Sequence, residues 1–359
     1  MNGSMYSAVV GACLFLAGTT WAQAGTAMAQ APVSLALDTS EADEALRILD
    51  KSAAHEPVAT ADWNRLFATR PYQWLKAREA AMGRPLSDED FQRFLLSPEA
   101  AAQRSDWAST LAAMKQADMA RLGAGVLAWL PPGASIRAQV FPEIKPQRNS
   151  FVWKKPATAA ADEDGGPAIF LAVNRQSRDQ FENTVAHECH HIGLESLAAR
   201  QEELQAGLPA NVKRAVTWLS AFGEGEAMLA AAGADRHPHW EDDAPVRARW
   251  DGDMQRFAAD LDAIQQLLLD ILDDKLIQDA DIMKRAAPFW GDAQGAWYTV
   301  GYEMAVLVEK RFGRAAFNDC LLDPRKLLEL YNQLAQEANA HGARLATWSP
   351  DLIKRLQAG

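Results

Sequence analysis

His187-Glu188-Cys189-His190-His191 constrains this chain more than any other run of residues. It has the form H-E-x-x-H. Positions four apart on a helix share a face, so His187 and His191 can reach one metal ion. Glu188 flanks the same side, where it can serve as general base toward a water that the metal activates. Three of the chain's seven histidines fall within these five residues. The segment is expected to be a helix, and another element must supply the remaining ligand.

The flanking residues suit a helix packed by its back. From Ser177 to Gly193, the residues Phe181, Val185, Cys189 and Ile192 recur at spacings of four, four and three and form an apolar stripe. His187 and His191 point away from that stripe, toward a cleft. A solvated polar face would spell this pattern by accident in on the order of a per cent of chains this long. His190 lies between the ligand face and the outer flank, so it reads as a supporting or surface residue rather than a ligand.

A catalytic zinc usually has three protein ligands. The extended form H-E-x-x-H-x-x-G-x-x-H is excluded, because Leu194 and Leu197 stand where it needs Gly and His. A downstream acid is the next choice. Residues 215–234 contain only two charged groups, Glu224 and Glu226, in a run rich in Ala and Gly. A buried carboxylate without a counter-charge is costly, and a zinc ion would neutralise one of them. Gly223 and Gly225 leave room for close helix–helix approach. The two acids stand about 200° apart around a helix, so only one should face the metal. Glu224 shares its face with Thr217, Ser220, Ala227 and Ala231; Glu226 shares its face with Leu219, Phe222 and Leu229. The small polar face favours Glu224, and Glu226 stands as the alternative.

Residues 296–305 (AWYTVGYEMA) place Tyr298 and Tyr302 four apart on one helix face. A tyrosine hydroxyl can donate to the oxyanion formed when water attacks a carbonyl. Aromatic packing with satisfied hydroxyls is the competing reading. His237 and His239 sit in an acidic loop and read as surface residues, His55 and His341 are isolated, and a solvated helix face accounts for the acids between Asp270 and Asp281.

The chain has 359 residues and a formal net charge of −11. So acidic a surface repels phosphate backbones, which argues against a nucleic-acid partner. The run Ala8 to Gly18 (AVVGACLFLAG) has the length of a signal-peptide core, although no Lys or Arg precedes it. Small-residue patterns follow at Ala22-Gln23-Ala24 and Ala27-Met28-Ala29, and cleavage is expected after Ala29. The run is too short to span a bilayer comfortably, and no later stretch is long and apolar enough to do so. A periplasmic or secreted protein is therefore expected, with no stable membrane span once the signal is removed. Cys189 and Cys320 remain, and two buried thiols are favoured over a disulfide.

Residues 1–29 are thus expected to be a signal peptide, 30–130 a helical region and 131–359 the domain holding the metal site. Helical patterns run from about Leu35, with a start at Ser40 and segments at Thr60–Thr69, Tyr72–Ala81, Ser87–Leu96 and Ala108–Leu130. Pro131-Pro132-Gly133 is a strong breaker. Ala134–Phe141, Ser150–Lys154 and Ala168–Asn174 read as strands, with a polar loop at 156–167. Such a strand as Ala168–Asn174 could pair an extended peptide along its edge. Later helices are expected at Ala210–Gly233, Val246–Lys275, Gly295–Gly313 and Pro324–Glu337, with a loop at 234–245. The fold class is α+β, mainly helical with a small sheet.

The H-E-x-x-H of residues 187–191 followed by Glu224-Gly225-Glu226-Ala227 resembles the H-E-x-x-H … E-G-x-A arrangement of gluzincin metallopeptidases. With residues 298–305 (YTVGYEMA) added, the chain is similar to a bacterial domain-of-unknown-function family, number 5700, of zinc-dependent peptidases. The resemblance covers about residues 134–320, and the helical N-terminal part carries no matching motif. It implies a zincin-like core: a small twisted sheet, an active-site helix, then a helix bearing the glutamate. It implies Zn2+ held by His187, His191 and Glu224, Glu188 as general base, and Tyr298 or Tyr302 as oxyanion donor. The N-E-x-x-S-D context of thermolysin-like enzymes is absent.

The leading expectation is an exported zinc peptidase acting on a peptide or protein. A zinc hydrolase of another amide or ester is the second reading. A helical binding protein with a non-catalytic zinc is the third.

Overall fold

The computed structural model describes residues 31–147, 149–154, 166–233, 244–291 and 295–358. The expected signal peptide, most of the loop at 156–167 and most of that at 234–245, with His237 and His239, lie outside the described residues. Two compact units divide the chain. The first draws on residues up to 124 and on 136–185; the second draws on 125–135 and on residues from 186 onward.

The first unit opens on a strand, β1 (Val33–Leu37), where a helical pattern was expected. Five alternating residues give little periodic signal, and the pairing partner lies about a hundred residues further on. Six helices follow: α1 (Ser40–Ala53), α2 (Thr60–Phe67), α3 (Arg70–Ala81), α4 (Asp88–Leu95), α5 (Pro98–Met114) and α6 (Met119–Leu127). The single expected helix over Ala108–Leu130 is therefore two. Then come β2 (Ile136–Glu143), β3 (Phe151–Trp153) and β4 (Ala168–Ala172).

The four strands form one mixed sheet in the order β1-β2-β4-β3. β1 is parallel to β2, β2 is parallel to β4, and β3 is antiparallel to β4. Strands from before and after Pro131-Pro132-Gly133 thus share one sheet. All five residues of β4 are buried, as expected of an interior strand with apolar residues on both faces. Phe170 of β4 pairs in register with Phe141 and Phe151, and the latter ring stacks on it at 4.8 Å. β4 is hydrogen-bonded on both sides, so it offers no edge to an extended peptide. This corrects the expectation that it could take a substrate as an added strand.

α7 (Arg178–Glu195) follows β4. Its start is a capping box: Ser177 Oγ accepts from the Gln180 N–H at 3.1 Å, and Gln180 Oε1 accepts from the Ser177 N–H at 2.8 Å.

The second unit continues with α8 (Ala198–Gln205), α9 (Ala210–Leu219), a 3₁₀ turn at Ser220–Phe222, and α10 (Gly223–Ala232). Then come α11 (Ala244–Gln255), α12 (Phe257–Leu272), α13 (Asp279–Trp290), α14 (Ala296–Leu322), α15 (Pro324–Ala340) and α16 (Pro350–Leu356). Its core is built from helix stripes. Leu261, Ile264, Leu268 and Ile271 of α12 and Trp297, Val300, Met304 and Val308 of α14 recur at spacings of three and four and are fully buried. α14 is kinked at Gly313, whose φ of 84° interrupts the helix close to its expected end. Among the described residues, no helix is long and apolar enough to cross a membrane.

Candidate metal centre

α7 delivers its histidines as a helix with one buried side. Phe181, Val185 and Cys189 are fully buried and Ile192 nearly so. His187, Glu188 and His191 are half-buried. Their difference from the stripe follows from the 3.6-residue period alone.

The carboxylate comes from α10. The 3₁₀ turn at Ser220–Phe222 interrupts the helix expected over Ala210–Gly233, and Glu224 falls in the first turn after it. Gly225 and Gly301 set how closely α10 and α14 approach. A Cβ on Gly225 would lie 2.6 Å from the Tyr298 carbonyl oxygen, and one on Gly301 would lie 2.8 Å from the Phe222 carbonyl oxygen. Any larger residue would push the helices apart. The room expected from the glycines of the Gly-Glu-Gly-Glu run is used here, at Gly225, together with Gly301 on the facing helix.

Three ligand atoms converge. Nε2 of His187 lies 3.1 Å from Nε2 of His191 and 3.1 Å from Oε2 of Glu224, and Nε2 of His191 lies 3.4 Å from the same Oε2. Among the described residues, these three side chains form the group able to hold a metal ion. A zinc ion with arms of about 2.0–2.1 Å in a tetrahedral arrangement sets its ligand atoms about 3.3–3.4 Å apart. The triangle therefore fits three corners of a tetrahedron. Two imidazole nitrogens and one carboxylate oxygen are also the donor types zinc takes.

The electrostatics agree with this packing. Burial opposes ionisation of Glu224, but the two imidazoles, above all that of His191, hold its carboxyl well below the usual range. Burial likewise opposes a charge on His191, yet the Glu224 carboxylate raises it to about 9. Glu188 is pushed up, mainly by burial, with the two histidines opposing the shift. Glu226, the alternative ligand, stands apart from the triangle. It is buried, and burial raises it to about 7.

Tyr298 of α14 lies against the group. Its ring stacks near that of His187, with centroids 6.4 Å apart and planes within 15°. Its hydroxyl is hydrogen-bonded to Glu224, and burial together with that carboxylate raises it well above the ordinary phenol range. Tyr302 does something else. Its hydroxyl donates to the carbonyl oxygen of Gly233 at 3.2 Å, at the end of α10, and its ring packs edge-on against Trp250. Tyr298 is thus at the triangle, while the Tyr302 hydroxyl ties α14 to the C-terminus of α10.

His190 is fully buried, and neither ring nitrogen has a hydrogen-bond partner. Burial pushes it well below the ordinary histidine value. It is neither a surface residue nor part of the converging group. Cys189 and Cys320 are buried free thiols. Gly301 had no assigned role in the sequence, although a glycine inside an apolar helical run is itself a sign of close backbone approach.

No curated protein and no solved structure matches the chain. The family described as "Putative zinc dependent peptidase (DUF5700)" matches residues 63–340. The match reaches well into the N-terminal helices, where no motif was legible. The converging His187, His191 and Glu224 fit that description, and the chain belongs to this family.

Proposed function

We propose that this protein is a zinc-dependent peptidase whose metal is held by His187, His191 and Glu224. The observation that carries the reading is the triangle of two Nε2 atoms and one Oε2 atom with sides of 3.1, 3.1 and 3.4 Å. Zinc in such a set acts as a Lewis acid, lowering the pKa of water and polarising a carbonyl oxygen.

The remaining chemistry belongs to the chain. Glu188 is the proton carrier. Its carboxyl is raised by burial, which makes the carboxylate a better base toward the attacking water. The same oxygen then passes the proton to the departing amine nitrogen. Tyr298 keeps its proton because its phenol is raised; once that hydroxyl turns from Glu224, it can donate to the oxyanion that develops on the scissile carbonyl. Glu224 stays ionised beside two imidazoles and anchors them. Tyr302, with its proton committed to Gly233, supports the packing.

The chain order fits a zincin-like core: an interior strand, then the helix with H-E-x-x-H, then the helix bearing the carboxylate. The apolar run Ala8 to Gly18 with small residues before position 30 supports export to the periplasm or beyond. The substrate class is a peptide or protein.

The test is a peptide-library assay on the zinc-loaded protein beside its Glu188→Gln variant, with zinc content measured on both. Cleavage by the wild type alone, at equal zinc content, supports the reading. Turnover that persists in Glu188→Gln would overturn the assignment of the base. Turnover of esters or other amides but of no peptide would move the same residues to a different hydrolase class. Bound zinc with no turnover of any kind would make the site non-catalytic.

A further inference from the structure

One buried acid beside the metal group has no task in the chemistry above. Glu226 is 4% exposed, and among the described residues nothing donates a hydrogen bond to its carboxylate. A buried carboxylate without a donor is costly. It stands in the first turn of α10, two residues after Glu224. Side chains on a helix lean toward its N-terminus, and Glu226 lies back against Gly223, three residues before it. A Cβ built on Gly223 would lie 3.9 Å from Oε2 of Glu226 and 4.0 Å from Cε1 of His191. The carboxylate from α10 and the imidazole from α7 thus meet over the same bare stretch of backbone, and Gly223 puts no side chain between them.

Cε1 of an imidazole is bonded to both ring nitrogens. In His191, Nε2 makes the contacts to His187 and Glu224. Nδ1 has no hydrogen bond among the described residues. A histidine that gives Nε2 to a metal carries its proton on Nδ1, and that N–H needs an acceptor to hold the tautomer and the angle of the ring. Three carboxylates act on His191: those of Glu224, Glu188 and Glu226. Glu224 is a corner of the triangle, and Glu188 is the proton carrier of the proposed reaction. Glu226 remains, and the charge that acts on it is that of His191. The Cys320 thiol also feels Glu226, but it donates to the carbonyl oxygen of Ala316 at 3.2 Å, so its proton is committed elsewhere.

We infer that Glu226 is a positioning residue of the metal site: its carboxylate accepts the Nδ1 proton of His191 and thereby fixes the direction of Nε2. This role rests on the ligand set proposed above, and it separates the two acids of the Gly-Glu-Gly-Glu run. Glu224 supplies a ligand atom, and Glu226 holds a ring that supplies another. In this structure the Nε2 side of His191 is engaged with Glu224, and the Nδ1 side is not bonded to Glu226. With Nε2 on a metal the proton belongs to Nδ1, and the contact forms.

The experiment compares wild type, Glu226→Gln and Glu226→Met in the full chain. Glutamine keeps an oxygen acceptor; methionine fills similar space and removes it. Circular dichroism and urea unfolding of the zinc-free proteins come first. Glu226→Met should be at least as stable as wild type there, because it replaces a buried carboxylate that has no donor. Zinc affinity is then read by competition with a chromophoric chelator. Glu226→Met should bind zinc about 10–100-fold more weakly than wild type, the usual loss when the outer partner of a histidine ligand is removed. Glu226→Gln should recover most of that loss. Nuclear magnetic resonance of the zinc-loaded proteins, labelled with 15N-histidine, reads the bond itself. One zinc-dependent Nδ1–H resonance should exchange slowly with water in wild type and Glu226→Gln, and rapidly in Glu226→Met. Zinc held by Glu226→Met as tightly as by wild type would overturn the proposal. So would an affinity in Glu226→Gln as low as in Glu226→Met, or imidazole resonances unchanged in Glu226→Met. A zinc-free Glu226→Met chain less stable than wild type would overturn it too, by making Glu226 a support of the fold. A wild type that binds no zinc would end the reading of the metal site itself, and the role of Glu226 with it.

Discussion

Gly301 lies directly against the backbone of Phe222: a methyl group added to it would sit 2.8 Å from the Phe222 carbonyl oxygen. Phe222 closes the 3₁₀ turn that leads into α10, two residues before Glu224. The depth at which Glu224 enters the metal group is therefore set by a glycine on another helix. Gly301→Ala and Gly225→Ala should each destabilise the protein by about 1–3 kcal/mol, the usual cost of forcing volume into a packed contact. Both should also lower zinc occupancy. Gly252 in α11 meets nothing within 4 Å, so Gly252→Ala should stabilise by up to about 1 kcal/mol. Urea unfolding of the three variants, with zinc measured on each, checks the set.

Zinc content separates the two neighbouring acids. Purified wild type should carry about one ion per chain. Glu224→Ala and His187→Ala should lose it, while Glu226→Gln should keep it, because Glu226 lies outside the triangle. Elemental analysis after dialysis against a weak chelator reads the difference. Loss of zinc in Glu226→Gln with retention in Glu224→Ala would reverse the assignment.

Glu188→Gln should retain zinc and reduce kcat by about 10²–10⁴, the usual contribution of a positioned acid–base group. KM should change little, since the amide occupies the same volume. Steady-state kinetics on a peptide identified from the library gives both constants.

The two tyrosines should divide cleanly. Tyr298→Phe removes a hydroxyl held at Glu224 and should lower kcat by about 10²–10³, as loss of one oxyanion donor does. Tyr302→Phe removes the bond to Gly233 and should cost about 0.5–1.5 kcal/mol of stability with kcat nearly unchanged. Kinetics and unfolding of both variants distinguish chemistry from support.

Glu41 gives a pH test in the first unit. It is fully buried and accepts a hydrogen bond from the Ile144 N–H at 2.9 Å. Burial, then the nearby Glu143, raises its carboxyl well above the ordinary value. A group with a raised folded pKa contributes stability in full below its unfolded value, about 4.3. That contribution is lost as the pH rises toward the folded value. Stability should therefore fall from pH 5 to pH 8, and Glu41→Gln, which keeps an acceptor for Ile144, should flatten the slope. Urea midpoints at the two pH values check it.

The converging group of His187, His191 and Glu224 was legible in the sequence where its signals were local. His187, Glu188 and His191 need only the helical period, and Phe181, Val185 and Cys189 advertise which side is buried. Glu224 stood out because charge is scarce between residues 215 and 234. The continuous helix assumed there is broken at Ser220–Phe222, so matching Glu224 with Thr217 and Ser220 on one face does not describe the actual phase. Long-range features were not legible. β1 is defined by Ile136–Val140, its partner in the sheet. Glu143 and Lys145 look like ordinary surface charges in the sequence, and only the packing around them shows that they are buried. β4 reads equally well as an edge or an interior strand until its second neighbour, β3, is seen.

Tyr298 and Gly301 stand three residues apart on α14, within one helical turn. One carries a phenol to Glu224, and the other fixes the seat of the segment from which Glu224 springs. A drift of α14 along its axis would shift both at once, so substitutions at remote points of this helix should register as altered turnover before they register as unfolding. Reactivity and rigidity are inherited here as one trait.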